Sequence, residues 1–286
     1  MTKVVSLINL KGGVAKTTTT IQLAECLVSV HKQKVLVIDL DPQTNATISL
    51  IPEERWEELD NQGKTIYQLF ADKLKKDDEP DKFNIKSAIQ SRDISSLRLS
   101  NLHLLASSLN LINIQDDLRE ISVKTSIKAE EVLKTAIQPV LHQYDYVLID
   151  CPPNLGLITL NGIEVSDYYL IPTIADTLST HGIPQVISQI TKKARGRNLK
   201  IKCMGLVITK YDGKGVQRDK IEKLKSNLEN TFDFHGLPRA DIFKTKMPQV
   251  NATANAMDYD GMLGINTFSK KYGYGNAGYQ PTTLPK

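Results

Sequence analysis

Between residues 9 and 18 the chain reads Asn9-Leu10-Lys11-Gly12-Gly13-Val14-Ala15-Lys16-Thr17-Thr18, a pair of glycines flanked by lysines and closed by hydroxyls. These residue types suit phosphate binding. Glycines let the backbone turn its N–H groups inward on an anion, and a helix starting there adds its partial positive charge. Lys16 would reach the β- and γ-phosphate oxygens of a nucleotide, and the Thr17 hydroxyl would ligate Mg2+. Two acidic segments could complete that chemistry. Asp39-Leu40-Asp41-Pro42-Gln43-Thr44-Asn45 brings two carboxylates, one able to orient a water against a γ-phosphate. Asp150-Cys151-Pro152-Pro153-Asn154-Leu155-Gly156 brings a third, and its paired prolines remove backbone donors and stiffen the loop.

Such groups converge only if strands present them at one edge. Lys3 to Ile8 is a short apolar run before the glycines, and Thr17 to Val30 has helical spacing through Ile21, Ala24, Leu27 and Val28. A second run, Lys34 to Asp39, carries Val35-Leu36-Val37-Ile38 directly into the first acidic segment. Continuous apolar residues of this kind mark a parallel strand covered on both faces. The pattern recurs at Tyr146 to Ile149, which leads into Asp150, at Tyr168 to Ile171 and at Cys203 to Ile208. Five such strands with helical segments between them predict an α/β fold, a doubly wound, mostly parallel sheet flanked by helices. In such sheets ligands sit outside the carboxyl ends of the strands, where all three acidic and glycine segments fall. Asp-Pro-Gln-Thr-Asn also suits a turn and a helix cap, which explains its residue types but not its place after a strand.

The 286 residues are 41% hydrophobic and 24% charged, which excludes a disordered, collagen-like or disulfide-stapled chain. They are read as one domain over 1–270, with the Lys, Asp and Glu run of 72–81 a surface insertion. Residues 271–286 form a Gly-, Pro- and Tyr-rich flexible carboxyl-terminal tail. The first ten residues hold no signal-peptide h-region, and no apolar run reaches the ~18 residues of a membrane span, so a cytoplasmic protein is expected. Cys26, Cys151 and Cys203 share no close spacing, and Cys151 is read as a small filler. His31, His103, His142, His181 and His235 lack metal-ligand spacing and are read as structural.

Net charge is +4, yet residues 190–225 hold twelve Lys or Arg against three acids, a local +9 that leaves −5 for the remainder. A solvated helix face is one reading of such a run. The other is a polyanion-binding surface whose affinity falls steeply with salt. Tyr211 is the one aromatic inside it, which argues against stacking on single strands.

The phosphate-loop sequence departs from the common Gly-x4-Gly-Lys-Ser/Thr pattern at both outer glycines, with Leu10 and Ala15 in their places. With Lys11 and the paired Gly12-Gly13 it resembles the deviant, signature-lysine Walker A motif of the ParA/MinD family of dimeric P-loop ATPases. Where most relatives have glycine, Ala15 would be strained at positive φ; alanine at a helix start is expected to take helical angles instead. The Asp39-to-Asn45 and Asp150-to-Gly156 segments are similar to that family's Asp-x-Asp-Pro-Gln and Walker B motifs, in the same order. Similarity continues through Leu104 to Ser108, Leu170 to Pro172 and Val207 to Asp212, and so spans most of residues 3 to 270.

The resemblance implies ATP and Mg2+ as ligands. Gly12, Gly13, Val14, Ala15, Lys16, Thr17 and Thr18 would form the phosphate cradle, with Thr17 and Asp150 on the metal and Asp39 a supporting contact. Asp41 would position the attacking water, and Pro152 would contact the nucleotide from a loop that responds as a unit to the γ-phosphate. Thr209, Lys210, Met247 and Pro248 would lie near the adenine. Lys11 would contact the phosphates held by a partner copy in an ATP-bound homodimer, as an arginine finger does.

Within the family, the tail is unlike the basic amphipathic membrane helix of MinD-like proteins, so no membrane anchor is expected. The resemblance is closest to short plasmid-partition ParA proteins, with no room before residue 11 for a helix-turn-helix. Those bind double-stranded DNA without sequence preference when ATP is present, and here Lys192, Lys193, Arg195, Arg197, Lys214, Arg218, Lys220 and Lys223 would make the contacts. A nucleoid-associated ATPase, slow alone and stimulated by a centromere-binding ParB-like adaptor, is the function implied. Alternatives are a regulator that uses nucleotide only as a conformational ligand, and a bacterial tyrosine-kinase-like ATPase with Tyr272, Tyr274 and Tyr279 as a tyrosine cluster.

Overall fold

The computed structural model describes residues 1–75 and 79–273. One sheet contains seven strands: β1 (Lys3–Leu7), β2 (Val35–Asp39), β3 (Leu102–Leu105), β4 (Tyr146–Asp150), β5 (Tyr168–Ile174), β6 (Lys202–Tyr211) and β7 (Ile242–Pro248). Their order is β3-β2-β4-β1-β5-β6-β7, and each pairing between neighbours is parallel. The five helices that bear on the site are α1 (Lys16–Ser29), α2 (Val132–Leu141), α3 (Leu157–Val165), α4 (Thr177–Arg195) and α5 (Gly215–His235).

Burial on both faces explains the apolar runs. Val35, Leu36, Val37 and Ile38 are all fully buried because alternate side chains enter different cores. Val5, Leu7, Val35 and Val37 meet Ile21, Ala24 and Val28 of α1 on one face. Val4, Ile8, Leu36 and Ile38 share the other core with Ile137 of α2, Ile163 of α3, Ile187 of α4 and Leu228 of α5. Gly162 lets α3 approach the sheet closely: a Cβ there would stand 3.2 Å from Ser6 Oγ, Leu40 Cδ1 and Cys151 Sγ. The fully buried Cys151 thiol, its pKa pushed by burial to about 12, is the packing residue its sequence context suggests.

Five strands were legible as apolar runs; β3 and β7 were not. Leu102-His103-Leu104-Leu105 is only four residues long and is broken by a histidine. In β7, Ile242-Phe243-Lys244-Thr245-Lys246-Met247-Pro248, lysines interrupt the hydrophobic pattern because this is an edge strand, where charge deters pairing with other chains.

The segment 72–81 has exposed residues at 79–81 and a buried first residue: Asp72 ends the helix Ile66–Asp72 and accepts hydrogen bonds from Phe83 N (2.7 Å), Gln68 (2.7 Å) and Lys75 (3.0 Å). Burial pushes its carboxyl up, but these bonds outweigh that and hold it below its ordinary value. One sequence expectation is corrected: Lys271 is not part of a flexible tail. Lys271 Nζ lies 2.7 Å from Glu25 Oε1 of α1, both side chains are fully buried, and the Tyr272 hydroxyl donates to Glu25 Oε2 at 2.9 Å. Low hydrophobicity concealed this anchor, since its stability comes from an ion pair. Residues 274–286, with Tyr274 and Tyr279, lie outside the described residues.

Candidate functional site at the carboxyl edge of the sheet

The phosphate-loop sequence leaves the sheet from its central region, between β1 and α1. Asn9 fixes its start: the side-chain amide donates to Pro172 O (2.8 Å) and Oδ1 accepts from Lys11 N (3.0 Å). Gly13 has φ +73, the left-handed region that glycine enters without strain. Ala15 does not take the helical angles expected of it. It stands at φ 60, ψ 37, in the left-handed region, immediately before Lys16 opens α1, so the turn is left-handed with a Cβ in place.

Around the opening of α1 the structure gathers the hydroxyls and carboxylates of the other two segments. Thr17 Oγ1 donates to Asp150 Oδ2 at 2.6 Å, and Thr20 Oγ1 donates to Asp150 Oδ1 at 3.2 Å. Asp150 and Asp39 are register partners at the ends of β4 and β2. Both are fully buried. Burial pushes the Asp150 carboxyl up to about 6, opposed by Thr17 and Lys16 and reinforced by Asp41. Asp39 is raised well above its ordinary value by burial and by the charge of Asp150. Its carboxylate is held by Thr47 N (2.9 Å), Thr47 Oγ1 (2.8 Å) and Asp41 N (3.0 Å), so Asp39 shapes the loop that carries Asp41. Asp41 is 8% exposed and accepts from Gln43 N at 3.0 Å.

Lys11, the extra lysine, is ion-paired with Asp176. Asp176 caps α4, accepting from Ser179 N at 2.8 Å. Burial raises its carboxyl, but the bonds from Lys11 and Ser179 outweigh that and lower it. Asp176-x-x-Ser179 reads in sequence as a helix start; its pairing with Lys11, 165 residues away, had no local signal. Thr20 was missed for the same reason, its partner Asp150 lying 130 residues away, whereas Thr47 stands only 8 residues from the Asp39 it holds.

Of the residues assigned to the adenine, Thr209 is fully buried and donates its hydroxyl to Val14 O at 3.0 Å, so it braces the loop from beneath. Lys210 is exposed with φ +50, and Met247 Sδ accepts from Thr19 Oγ1 of α1 at 3.2 Å, which brings the end of β7 to the first turn after the loop. Pro248 pairs with Tyr211 in the sheet register. Pro152 is buried, and Gly156 N donates to Asn154 Oδ1 at 2.8 Å within the loop that follows β4.

The basic stretch is contiguous in sequence but not in space. Helices α4 and α5 run side by side in the same direction: Asn227 donates to Thr180 O at 2.9 Å, and the Arg195 guanidinium donates to the carbonyl of His235 at the far end of both. Lys214 and Arg218 therefore lie at the start of α5, beside the carboxyl edge. Lys192, Lys193, Arg195 and Arg197 lie at the other end, about 30 Å away along a 21-residue helix. Arg197 is ion-paired with Glu130. Lys220 and Lys223, one to two turns into α5, are interleaved with Asp219 and Glu222.

A family model described as an AAA domain matches residues 2–203. The sporulation initiation inhibitor protein Soj of Bacillus subtilis is 30% identical over 252 residues, which cover 87% of this chain and 85% of Soj. The chain belongs to the ParA/MinD family of P-loop ATPases. An uncharacterized Mycobacterium tuberculosis protein is 34% identical over 215 residues, 75% of this chain; the chain spans 60% of the length of that relative. Among solved structures, a cobyrinic acid a,c-diamide synthase of Mycobacterium smegmatis with bound ADP and magnesium superposes with a TM-score of 0.67 at 27% identity, covering 91% of each chain. Among the described residues of this ParA/MinD-family chain, no helix is long and apolar enough to cross a membrane.

Proposed function

We propose that the chain is a partition ATPase that pairs with a second copy on binding ATP and Mg2+, then sits on DNA without sequence preference. A DNA-bound adaptor would stimulate its otherwise slow hydrolysis, so that plasmid copies are segregated on the nucleoid. The observation that carries this reading is the convergence of Lys16, Thr17, Asp150 and Asp41 at one sheet edge, with Lys11 held beside them.

The donor set fits a hard cation. A hydroxyl and a fully buried carboxylate face each other at Thr17 and Asp150, and burial disfavours that carboxylate's charge until a cation compensates it. Mg2+ there would neutralise phosphate charge as it develops. Lys16, at the helix start, would bind the β- and γ-phosphate oxygens together with the loop N–H groups. Asp41 would orient the attacking water, its loop fixed by the bonds through Asp39. Lys11 would leave Asp176 to reach the phosphates of the partner copy, which couples dimer formation to the nucleotide. The switch would then work by differential affinity: ATP favours the DNA-binding dimer, and hydrolysis releases it.

Binding to random-sequence duplex DNA tests this, with ATP, ADP or no nucleotide, at two salt concentrations. Binding that needs ATP and falls steeply with salt supports the reading. Because the two basic clusters are separate, Lys214→Ala/Arg218→Ala and Lys192→Ala/Lys193→Ala locate the surface independently. Absence of binding in every condition contradicts the proposal. DNA binding without any hydrolysis, even with the adaptor, would instead favour a regulator that uses nucleotide only as a ligand.

A further inference from the structure

Ala15 needs a reason to be left-handed. A Cβ in that region meets the following carbonyl, a strain that glycine escapes. Two peptide planes flank the residue. The plane after it is held by Ala15 O, which accepts from Thr19 N (2.9 Å) and Thr19 Oγ1 (2.7 Å), contacts that the first turn of α1 supplies on its own. The plane before it is set by rotation about φ, and its carbonyl is Val14 O. That carbonyl accepts from Thr209 Oγ1 at 3.0 Å, with Val14 and Thr209 both fully buried. This bond joins the loop to the end of β6, 195 residues away.

We propose that Thr209 is a positioning residue for nucleotide binding: its hydroxyl holds the Val14 carbonyl and so keeps Ala15 in the left-handed turn that aims the loop at phosphate. The inference rests on the ATP reading of this loop. It is tied to this chain because the residue at the turn is alanine. Without the hydroxyl, Val14 O is left buried and unpaired, which favours turning the peptide toward another donor. That rotation also carries Ala15 out of its strained region, so both effects act against the binding conformation. With glycine at position 15 the second effect vanishes. The two positions are therefore coupled, whereas a Thr209 that only stabilised β6 would act independently of residue 15.

The test is equilibrium binding of ATP with Mg2+ to the parent, Thr209→Val, Thr209→Ser, Ala15→Gly and Ala15→Gly/Thr209→Val. Valine keeps the shape of threonine and suits a strand end, so folding is checked by thermal denaturation without nucleotide. Thr209→Val is expected to weaken binding about tenfold, the size of a lost hydrogen bond to a buried carbonyl with released strain. The same substitution in the Ala15→Gly background is expected to weaken it about threefold or less, because glycine removes the strain contribution. Thr209→Ser should bind as the parent does. Equal losses in the alanine and glycine backgrounds, or parental affinity in Thr209→Val, overturn the inference. A parent chain that binds no ATP, with Lys16→Ala indistinguishable from it, would instead overturn the reading on which it rests.

Discussion

Replacing Lys271 by methionine isolates a charge the fold cannot hydrate. Glu25 and Lys271 have fully buried side chains 2.7 Å apart, and among the described residues the hydroxyls of Ser95 and Tyr272 also donate to the carboxylate. Methionine matches the lysine stem but leaves Glu25 without its counter-charge, and breaking a buried pair this way costs about 3–5 kcal/mol. For a domain of this size each kcal/mol lowers Tm by roughly 2–4 °C, so the variant should melt about 6–20 °C below the parent. The companion Glu25→Gln/Lys271→Met removes both charges and keeps an amide oxygen for the hydroxyls. It should recover most of the loss, since uncharged replacements of buried pairs are often nearly neutral. Thermal and urea denaturation of the four corners of the cycle give the coupling. If Lys271→Met melts within about 2 °C of the parent, which is less than about 1 kcal/mol, the carboxyl-terminal residues are not anchored on α1 and the correction drawn above is mistaken.

Two further predictions concern the site itself. Asp176→Asn keeps a good helix cap but frees Lys11; because the pair is about one-third exposed, the gain is at most about 1 kcal/mol. A symmetric dimer releases two such lysines, so ATP-dependent dimers should tighten up to about thirtyfold in sedimentation, and a weaker dimer would mean that Asp176 serves the dimer directly. Burial raises the Asp150 carboxyl from its ordinary value of 3.8 to about 6, so the folded, nucleotide-free chain holds a proton that the unfolded chain has lost. Its contribution to stability is present in acid and lost as pH rises through about 6. Denaturation at several pH values should therefore find Asp150→Asn gaining on the parent from about pH 4 to about pH 7, and a difference constant with pH would contradict the assigned shift.

What the sequence disclosed follows from the range of the interactions involved. Lys16, Thr17, Asp39, Asp41 and Asp150 were legible because each sits within a residue or two of a strand end or helix start, and local pattern reports such places. Strand β7 escaped because an edge strand carries lysines where a buried one carries valines. The left-handed Ala15 escaped because its φ is imposed from Thr209, the Asp176 partner of Lys11 because it stands 165 residues away, and the Lys271 anchor because a buried ion pair leaves no hydrophobic trace. The basic stretch misled in the opposite sense: adjacency along α4, β6 and α5 placed in one run lysines and arginines that the parallel helices carry to opposite edges of the sheet.

The central claim is that this edge binds ATP and cleaves it. Phosphate release from ATP and Mg2+, measured in the presence of duplex DNA alongside nucleotide affinity for the parent, Lys16→Ala and Asp41→Ala, tests it most directly. The account predicts slow turnover in the parent, loss of binding in Lys16→Ala, and near-parental binding without turnover in Asp41→Ala. Parental turnover in either variant would contradict it.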